Sequence, residues 1–427
     1  MTCEVAVLNR LAVALAADSA VTYTSLTGSA QQRTYATGAN KIFQLTKTAP
    51  VGAMLYNTAD LQEIPWELII KSFRDEIGDE RRDALSEYAS ALADYIRGHD
   101  ALFPPAHREK HFRQLAAGAF FRLLNKALSM NAILVQPGPA DELQAAMREF
   151  VDAESALNRT TPLAQHLTEH EVADAKVRQA GWLAQEISDY LQSPGQHHHL
   201  MAIIDARHFA DLVIESLYRF YVWHFDDQYS GIVVAGYGDK EYLPSYAEVR
   251  YYGFLLDRLI VDNTSHRAIN HNVDALIDAF AKKSMVQTFM SGFAPDVFST
   301  VTGLFRVHAG NLLAGLNLAP ADAAAAPQRL QQAQNEFSQA WTKQTWDSHY
   351  APLTSVISGL PPSEMAELAE TLVMLESLKE KVTQRTQSVG GPVDVAVVTR
   401  AEGLVWIKRK HYFRADLNPR YFARQTN

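Results

Sequence analysis

Cysteine is almost absent from this chain. Its single thiol, Cys3, leaves no intrachain disulfide framework and no cysteine-rich zinc site, and it fits a reducing cytoplasm. Long apolar runs are missing too. None reaches the roughly 18 residues that cross a bilayer, so no membrane partner is expected. The apolar stretch Leu11 to Ala17 lacks a basic segment followed by a cleavage site and reads as a strand rather than a signal peptide. Positive charge is in deficit: a net charge of −9 argues against a general nucleic-acid partner. There is no Gly-x-Ser-x-Gly elbow. Gly236-Tyr237-Gly238 has neither the Lys-Ser/Thr of a phosphate loop nor the spacing of a dinucleotide fingerprint, and reads as a strand-end turn. Strands and helices do not alternate one by one, which excludes a doubly wound parallel sheet.

What is present is a 427-residue globular composition, 47% hydrophobic and 20% charged, enough for a large core and two or three domains. Glu4 to Leu8 and Leu11 to Ala17 form a hairpin about Asn9-Arg10, and Lys41 to Thr46 pairs with Val51 to Tyr56. The Thr/Ser/Gly/Gln-rich stretch Tyr23 to Gly38 reads as a loop. Helical periodicity runs from Ile64 to about Phe225, with breaks at Pro104-Pro105, Pro137-Gly138-Pro139, Pro162 and Pro194-Gly195. Strands return at Gly231 to Gly236, Ala247 to Leu255 and Arg258 to Asp262, and helix again at Val273 to Phe289. Pro361-Pro362-Ser363 starts a helix with Ser363 as its cap. A hairpin, Val393 to Thr399 and Gly403 to Lys408, closes the pattern.

Thr2 carries the most specific chemistry. Removal of Met1 would leave one residue holding both a hydroxyl and a free α-amine, a nucleophile with its own base. An α-amine has an ordinary pKa of about 7.7–8.0, and a nearby lysine cation lowers it. Alternation along the first strand turns Cys3 to the opposite face. His166 and His170 have the one-turn spacing of metal ligands but no third partner, and read as a charged helix face. His197-His198-His199 reads as a solvated loop.

In the run Val13-Ala14-Leu15-Ala16-Ala17-Asp18-Ser19, in Lys41-Ile42, in Gly52 to Asp60 and in Val389-Gly390-Gly391-Pro392-Val393-Asp394, the chain resembles proteasome-type β subunits of the N-terminal-nucleophile hydrolases, and their bacterial Anbu-like relatives in particular. The resemblance covers residues 1–75 and 363–412 well and 200–262 loosely. It leaves out most of 76–200 and 295–360. It implies an α+β fold: a four-layer αββα sandwich of two antiparallel sheets with large helical insertions. The implied division is 1–75 for the first part of the sandwich, 76–200 for a helical insertion, 201–294 for the continued core, 295–360 for a second insertion, and 361–427 for a closing helix, hairpin and tail.

By the same resemblance Thr2 is the nucleophile, Lys41 the neighbouring cation and Asp18 its orienting carboxylate. Tyr56 or Asn57 stands where the family has a glycine whose N–H stabilises the oxyanion. Ser388 offers the supporting serine hydroxyl, with Ser291 a second candidate, and the supporting aspartate is absent. The implied activity is a threonine-type peptidase or amidohydrolase in a self-compartmentalising homo-oligomer, with a peptide or amide substrate, an ATP-dependent unfoldase as possible partner, and no cofactor or metal. A catalytically inactive assembly protein and a small-molecule amidase are the alternatives.

Overall fold

A computed structural model describes residues 2–27, 30–226, 228–383 and 389–425. Its strands are β1 (Cys3–Asn9), β2 (Ala12–Ala17), β3 (Ala20–Thr27), β4 (Ala30–Thr37), β5 (Ile42–Gln44), β6 (Val51–Asn57), β7 (Asp60–Leu61), β8 (Ile64–Pro65), β9 (Ser230–Gly236), β10 (Ser245–Leu255), β11 (Arg258–Ala268), β12 (Ala275–Ala281), β13 (Asp394–Thr399) and β14 (Gly403–Lys408). The helices are α1 (Trp66–Ile77), α2 (Leu85–Gly98), α3 (Pro105–Met130), α4 (Ala140–Thr160), α5 (Glu169–Gln192), α6 (Ala206–Arg219), α7 (Tyr221–Phe225), α8 (Ser284–Ser291), α9 (Pro295–Gly315), α10 (Pro320–Thr345), α11 (Ala351–Ser358), α12 (Pro362–Thr383) and α13 (Pro419–Gln425).

The fold is α+β. Two open five-stranded sheets run in the orders β12-β1-β2-β13-β14 and β11-β10-β9-β6-β5, with every pairing antiparallel. Side chains on β1 and β2 alternate between two cores. Val5, Val7, Ala14 and Ala16 pack with Met365, Ala369 and Leu372 of α12, while Ala6, Leu8, Val13 and Leu15 meet Met54, Val233 and Ala235 of the second sheet. The other face of that second sheet is covered by Trp66, Ile69 and Ile70 of α1 and Tyr88 and Leu92 of α2. Each buried Val, Leu, Ile or Met among them stabilises the fold by roughly 1.5–3 kcal/mol relative to exposure. β1 and β2 are joined at Arg10-Leu11, one residue later than expected. Asn9 shapes that turn by accepting from Leu11 N–H at 2.9 Å and donating to the Leu360 carbonyl at 2.9 Å.

Residues 105–219 form a helical lobe. Phe112, Phe120, Phe150, Leu183 and Phe209 from α3 to α6 share a core that also takes in Tyr252, Leu255 and Ile260 of β10 and β11. α2 belongs instead with the second sheet. No helix among the described residues is long and apolar enough to cross a membrane.

Three elements differ from the sequence expectation. Tyr23 to Gly38 is not a loop: β3 and β4 pair from Ala20↔Thr37 to Thr27↔Ala30. Their Thr and Tyr content is that of strands, and it outweighs the polar composition. The stretch expected as one helix at Val273 to Phe289 opens as β12, which pairs with β1 along its whole length. Leu276 and Phe280 face one core, Ile277 and Ala279 the other. A strand buried on both faces shows no polar alternation. Ser363 lies within the first turn of α12 rather than before it.

One contact between neighbouring strands is unusually tight. The Tyr56 ring lies across Gly231 of β9, where an added Cβ would sit 1.9 Å from the ring. We predict that Gly231→Ala lowers unfolding stability by about 1–3 kcal/mol in urea titrations. An unchanged midpoint would show that the ring has another place to go.

Candidate active site

The open end of the space between the two sheets collects the chemistry. Thr2 precedes β1 and is tied to the end of β12, its carbonyl accepting from Lys282 N–H at 3.0 Å. Asp18 follows β2 directly and stands opposite Cys3, whose carbonyl accepts from Asp18 N–H at 3.2 Å. Lys41 precedes β5 in the other sheet, its carbonyl accepting from Leu55 N–H at 2.8 Å. Three chain segments thus deliver three side chains to one buried place. Thr2 and Lys41 are each 4% exposed and Asp18 1%.

Asp18 is held from four directions. Its Oδ1 accepts from Lys41 Nζ at 2.5 Å and Cys3 N–H at 3.2 Å. Its Oδ2 accepts from Gly390 N–H at 2.8 Å and Ala20 N–H at 3.3 Å. The Gly390 contact explains the Gly390-Gly391 pair: Gly391 adopts φ 78, a left-handed conformation that favours glycine, and the turn lays its backbone on the Asp18 carboxylate. The turn is steadied on its other side by Glu380, which accepts from Val389 N–H at 2.7 Å.

Glu4 was not among the expected site residues. It shares the Thr2 face of β1, is fully buried, and lies 3.2 Å from Lys41 Nζ through Oε1. Burial, opposed by Lys41 and reinforced by Asp18, pushes its carboxyl up to about 7. A signal for it existed: a glutamate amid Cys3-Glu4-Val5-Ala6-Val7 must either face water or have a buried partner. The Thr2 hydroxyl is close enough to favour the Glu4 carboxylate, yet Thr2 Oγ makes no hydrogen bond of its own. It is a buried hydroxyl near Glu4, in the cleft that Lys41 also lines.

The cleft is small, about 20 Å³, and is lined by Thr2, Asn40, Lys41, Tyr56, Asn57 and Thr58 among others. That is room for about one water. Leu55 N–H points to the β5 side of β6, so strand alternation turns Tyr56 N–H toward β9 and brings Asn57 N–H back to the β5 side. Both expected oxyanion residues line the cleft, and by this alternation Asn57 N–H lies on the β5 side and Tyr56 N–H on the β9 side. The Tyr56 hydroxyl donates to Glu248, and its ring stacks on Phe280 at 5.7 Å. Asn57 has φ 71 and donates through Nδ2 to the Tyr229 carbonyl at 2.8 Å.

Ser388 lies outside the described residues. Ser291 ends α8 and does not line the cleft. Cys3 is buried against α12, and burial, with Glu4 next, pushes its thiol well above the ordinary value, so it does not compete as a nucleophile.

No protein-family model, curated protein or solved structure matches the chain. The chemistry is therefore read from these residues themselves.

The raised Glu4 carboxyl gives a stability test. The folded state holds this proton up to about pH 7, whereas the unfolded chain releases it near the ordinary value of 4.5. Stability from this group is therefore greatest at low pH and declines as pH rises from about 4.5 through 7. The predicted result for Glu4→Gln is that its stability relative to the parent improves across that window, by up to about 3 kcal/mol. Parallel pH dependences in the two proteins would show that Glu4 titrates as an ordinary carboxyl.

Proposed function

We propose that this chain is an N-terminal threonine amidohydrolase of the proteasome type, built on a four-layer αββα sandwich in which α12 covers the first sheet and α1 and α2 the second. The observation that carries the reading is the buried Lys41–Asp18 pair, 2.5 Å apart, whose lysine lines the same cleft as Thr2. The β1–β2 pairing brings Thr2 and Asp18 to the same sheet end, and Lys41 reaches them from the other sheet.

Removal of Met1 frees the Thr2 α-amine. The amine takes the Thr2 Oγ proton as Oγ attacks the carbonyl carbon of a peptide or other amide. Lys41 steadies the negative charge developing beside it, Asp18 fixes the position of Lys41, and Asn57 N–H donates to the oxyanion. The tetrahedral adduct collapses with breakage of the C–N bond, and the departing amine takes the proton back from the α-ammonium. Water then attacks the Thr2 ester, the α-amine again relays the proton, and the carboxylic acid leaves with Thr2 Oγ–H restored.

The catalytic test needs processed protein, checked by intact mass, and a panel of peptide amides. Thr2→Ala is expected to reduce hydrolysis to background with the fold retained, Lys41→Ala to reduce it by roughly 10²–10³-fold, and Asp18→Asn by less. Full activity in Thr2→Ala sinks the reading. A processed protein that neither cleaves nor takes a threonine-directed electrophile at its N-terminus favours an inactive assembly protein. Two observations favour that alternative: the cleft holds little more than one water, and Glu4 competes for the Lys41 charge. The narrow cleft equally favours a small amide over a folded protein as substrate, in which case no unfoldase partner is needed.

The proposed assembly is a homo-oligomeric ring or ring-like particle. α9 and α10 have no buried residue along their length, and Val307, Leu312 and Leu316 are 54%, 68% and 51% exposed. Such apolar surface is a burden to a lone chain and suits contacts with a second copy. Light scattering is expected to give a mass several times that of one chain, and Val307→Glu with Leu312→Glu to shift it toward the monomer. A monomeric parent protein would refute the assembly.

A further inference from the structure

Away from the Thr2 cleft, two elements present metal-ligand side chains to each other. His107 and His111 are one turn apart on α3, so they leave the same face of the helix. Their rings stand edge to face with centroids 4.5 Å apart. Glu63 comes to them from the two-residue turn between β7 and β8, whose pairing is Leu61↔Ile64. Both turn residues, Gln62 at φ 50 and Glu63 at φ 69, are in the left-handed region. Such turns ordinarily carry Asn-Gly or Asp-Gly, because side chains larger than asparagine are strained there. A Gln-Glu pair accepts that strain, and the consequence is a carboxylate aimed at α3.

The surroundings match a metal site. One nitrogen from each histidine and one Glu63 oxygen all lie within 4.8 Å of one another. His111 Nε2 is shielded from solvent, has no hydrogen-bond partner, and sits 3.5 Å from Glu63 Oε2. The Gln62 carbonyl lies 2.8 Å from His107 Nε2. A backbone carbonyl in that place is the usual second partner of a ligating histidine, holding the Nε2 proton and leaving Nδ1 bare. Lys110 Nζ rests 3.1 Å from Glu63 Oε2, a solvated ammonium that a divalent ion would displace from the carboxylate. The cluster borders a cavity of about 670 Å³ lined by His111, Glu63, Asp60 and Thr58, and Thr58 also lines the Thr2 cleft.

We propose that Glu63, His107 and His111 bind a divalent transition-metal ion of the zinc class. Two imidazoles and one carboxylate are the donor set such borderline ions prefer over calcium or magnesium. The bound ion clamps the β7–β8 turn onto α3. Because β7 begins three residues after Asn57, the clamp ties the helical lobe to the wall of the Thr2 cleft.

The test uses the full chain freed of metal and titrated with cobalt(II) and zinc(II). The expected result is one equivalent bound, with the visible absorption of nitrogen-ligated cobalt and a zinc-dependent rise in the thermal midpoint. His111→Ala and Glu63→Gln are each expected to weaken zinc at least tenfold. Glu63→Gln changes only an exposed side chain, so it keeps the test valid should His111→Ala fail to fold. His199→Ala is expected to bind as the parent does. Absence of stoichiometric binding overturns the proposal. So does binding that survives Glu63→Gln and His111→Ala but is lost in His199→Ala, which would place the ion at the 3-10 turn His198–Leu200.

Discussion

A buried ammonium holds the ends of the two sheets in register. Lys41 Nζ, just before β5 in one sheet, bridges to Asp18 after β2 in the other, and it reaches Glu4 of β1 as well. Taking an ammonium and a carboxylate out of water costs several kcal/mol each unless geometry and further hydrogen bonds compensate. Asp18 meets that demand with three backbone N–H donors besides the lysine. One of these donors, Gly390, lies 372 residues away along the chain, so the whole closing segment must be in place before the charge pair is satisfied. Hydrophobic packing between the two sheets would tolerate many exchanges of volume. The charged cluster would not, because removing either partner leaves the other buried alone.

That dependence separates what was legible in the sequence from what was not. β1, β2 and β6 were visible because short apolar runs are bounded by Asn9, Asp18 and Pro50, and the closing hairpin because Arg400-Ala401-Glu402 interrupts two such runs. β12 was not, since a strand between two hydrophobic layers carries no alternation and Ala275-Leu276-Ile277 suits a helix as well. The β3–β4 ladder is hard to read because its residues are polar, so composition points to a loop where β-propensity points to strands.

The site shows the same division. Thr2, Asp18 and Lys41 could be picked out by residue type at strand ends. Which backbone N–H of Tyr56 and Asn57 faces the cleft could not, because that depends on the pairing of β6 with β5 and β9. Glu4 was open to discovery from strand alternation alone, since it sits two residues from Thr2 on the same face. Its significance is tertiary: only packing of the second sheet removes it from water and sets it beside Lys41. The Glu63, His107 and His111 cluster likewise joins a helix face that can be read in sequence to a turn conformation that cannot.

The charge count in the cleft bears on the proposed chemistry. Two carboxylates, Asp18 and Glu4, face one lysine, and burial resolves the imbalance by raising the Glu4 carboxyl to about 7 rather than leaving a second bare anion. On the proposed reading, a freed α-amine at Thr2 adds a second basic group to the same space. A protonated amine favours Glu4 as carboxylate, and a neutral amine favours Glu4 as acid, so the two would titrate as a pair. Such a pair can hold one proton between them near neutral pH, which suits a mechanism in which the hydroxyl proton is taken up at attack and returned at departure of the leaving group. An amine beside Lys41 alone would be pushed toward the free base, and Glu4 moderates that push. On that reading, the carboxylate that competes for Lys41 would also keep the base of this site poised between its two protonation states.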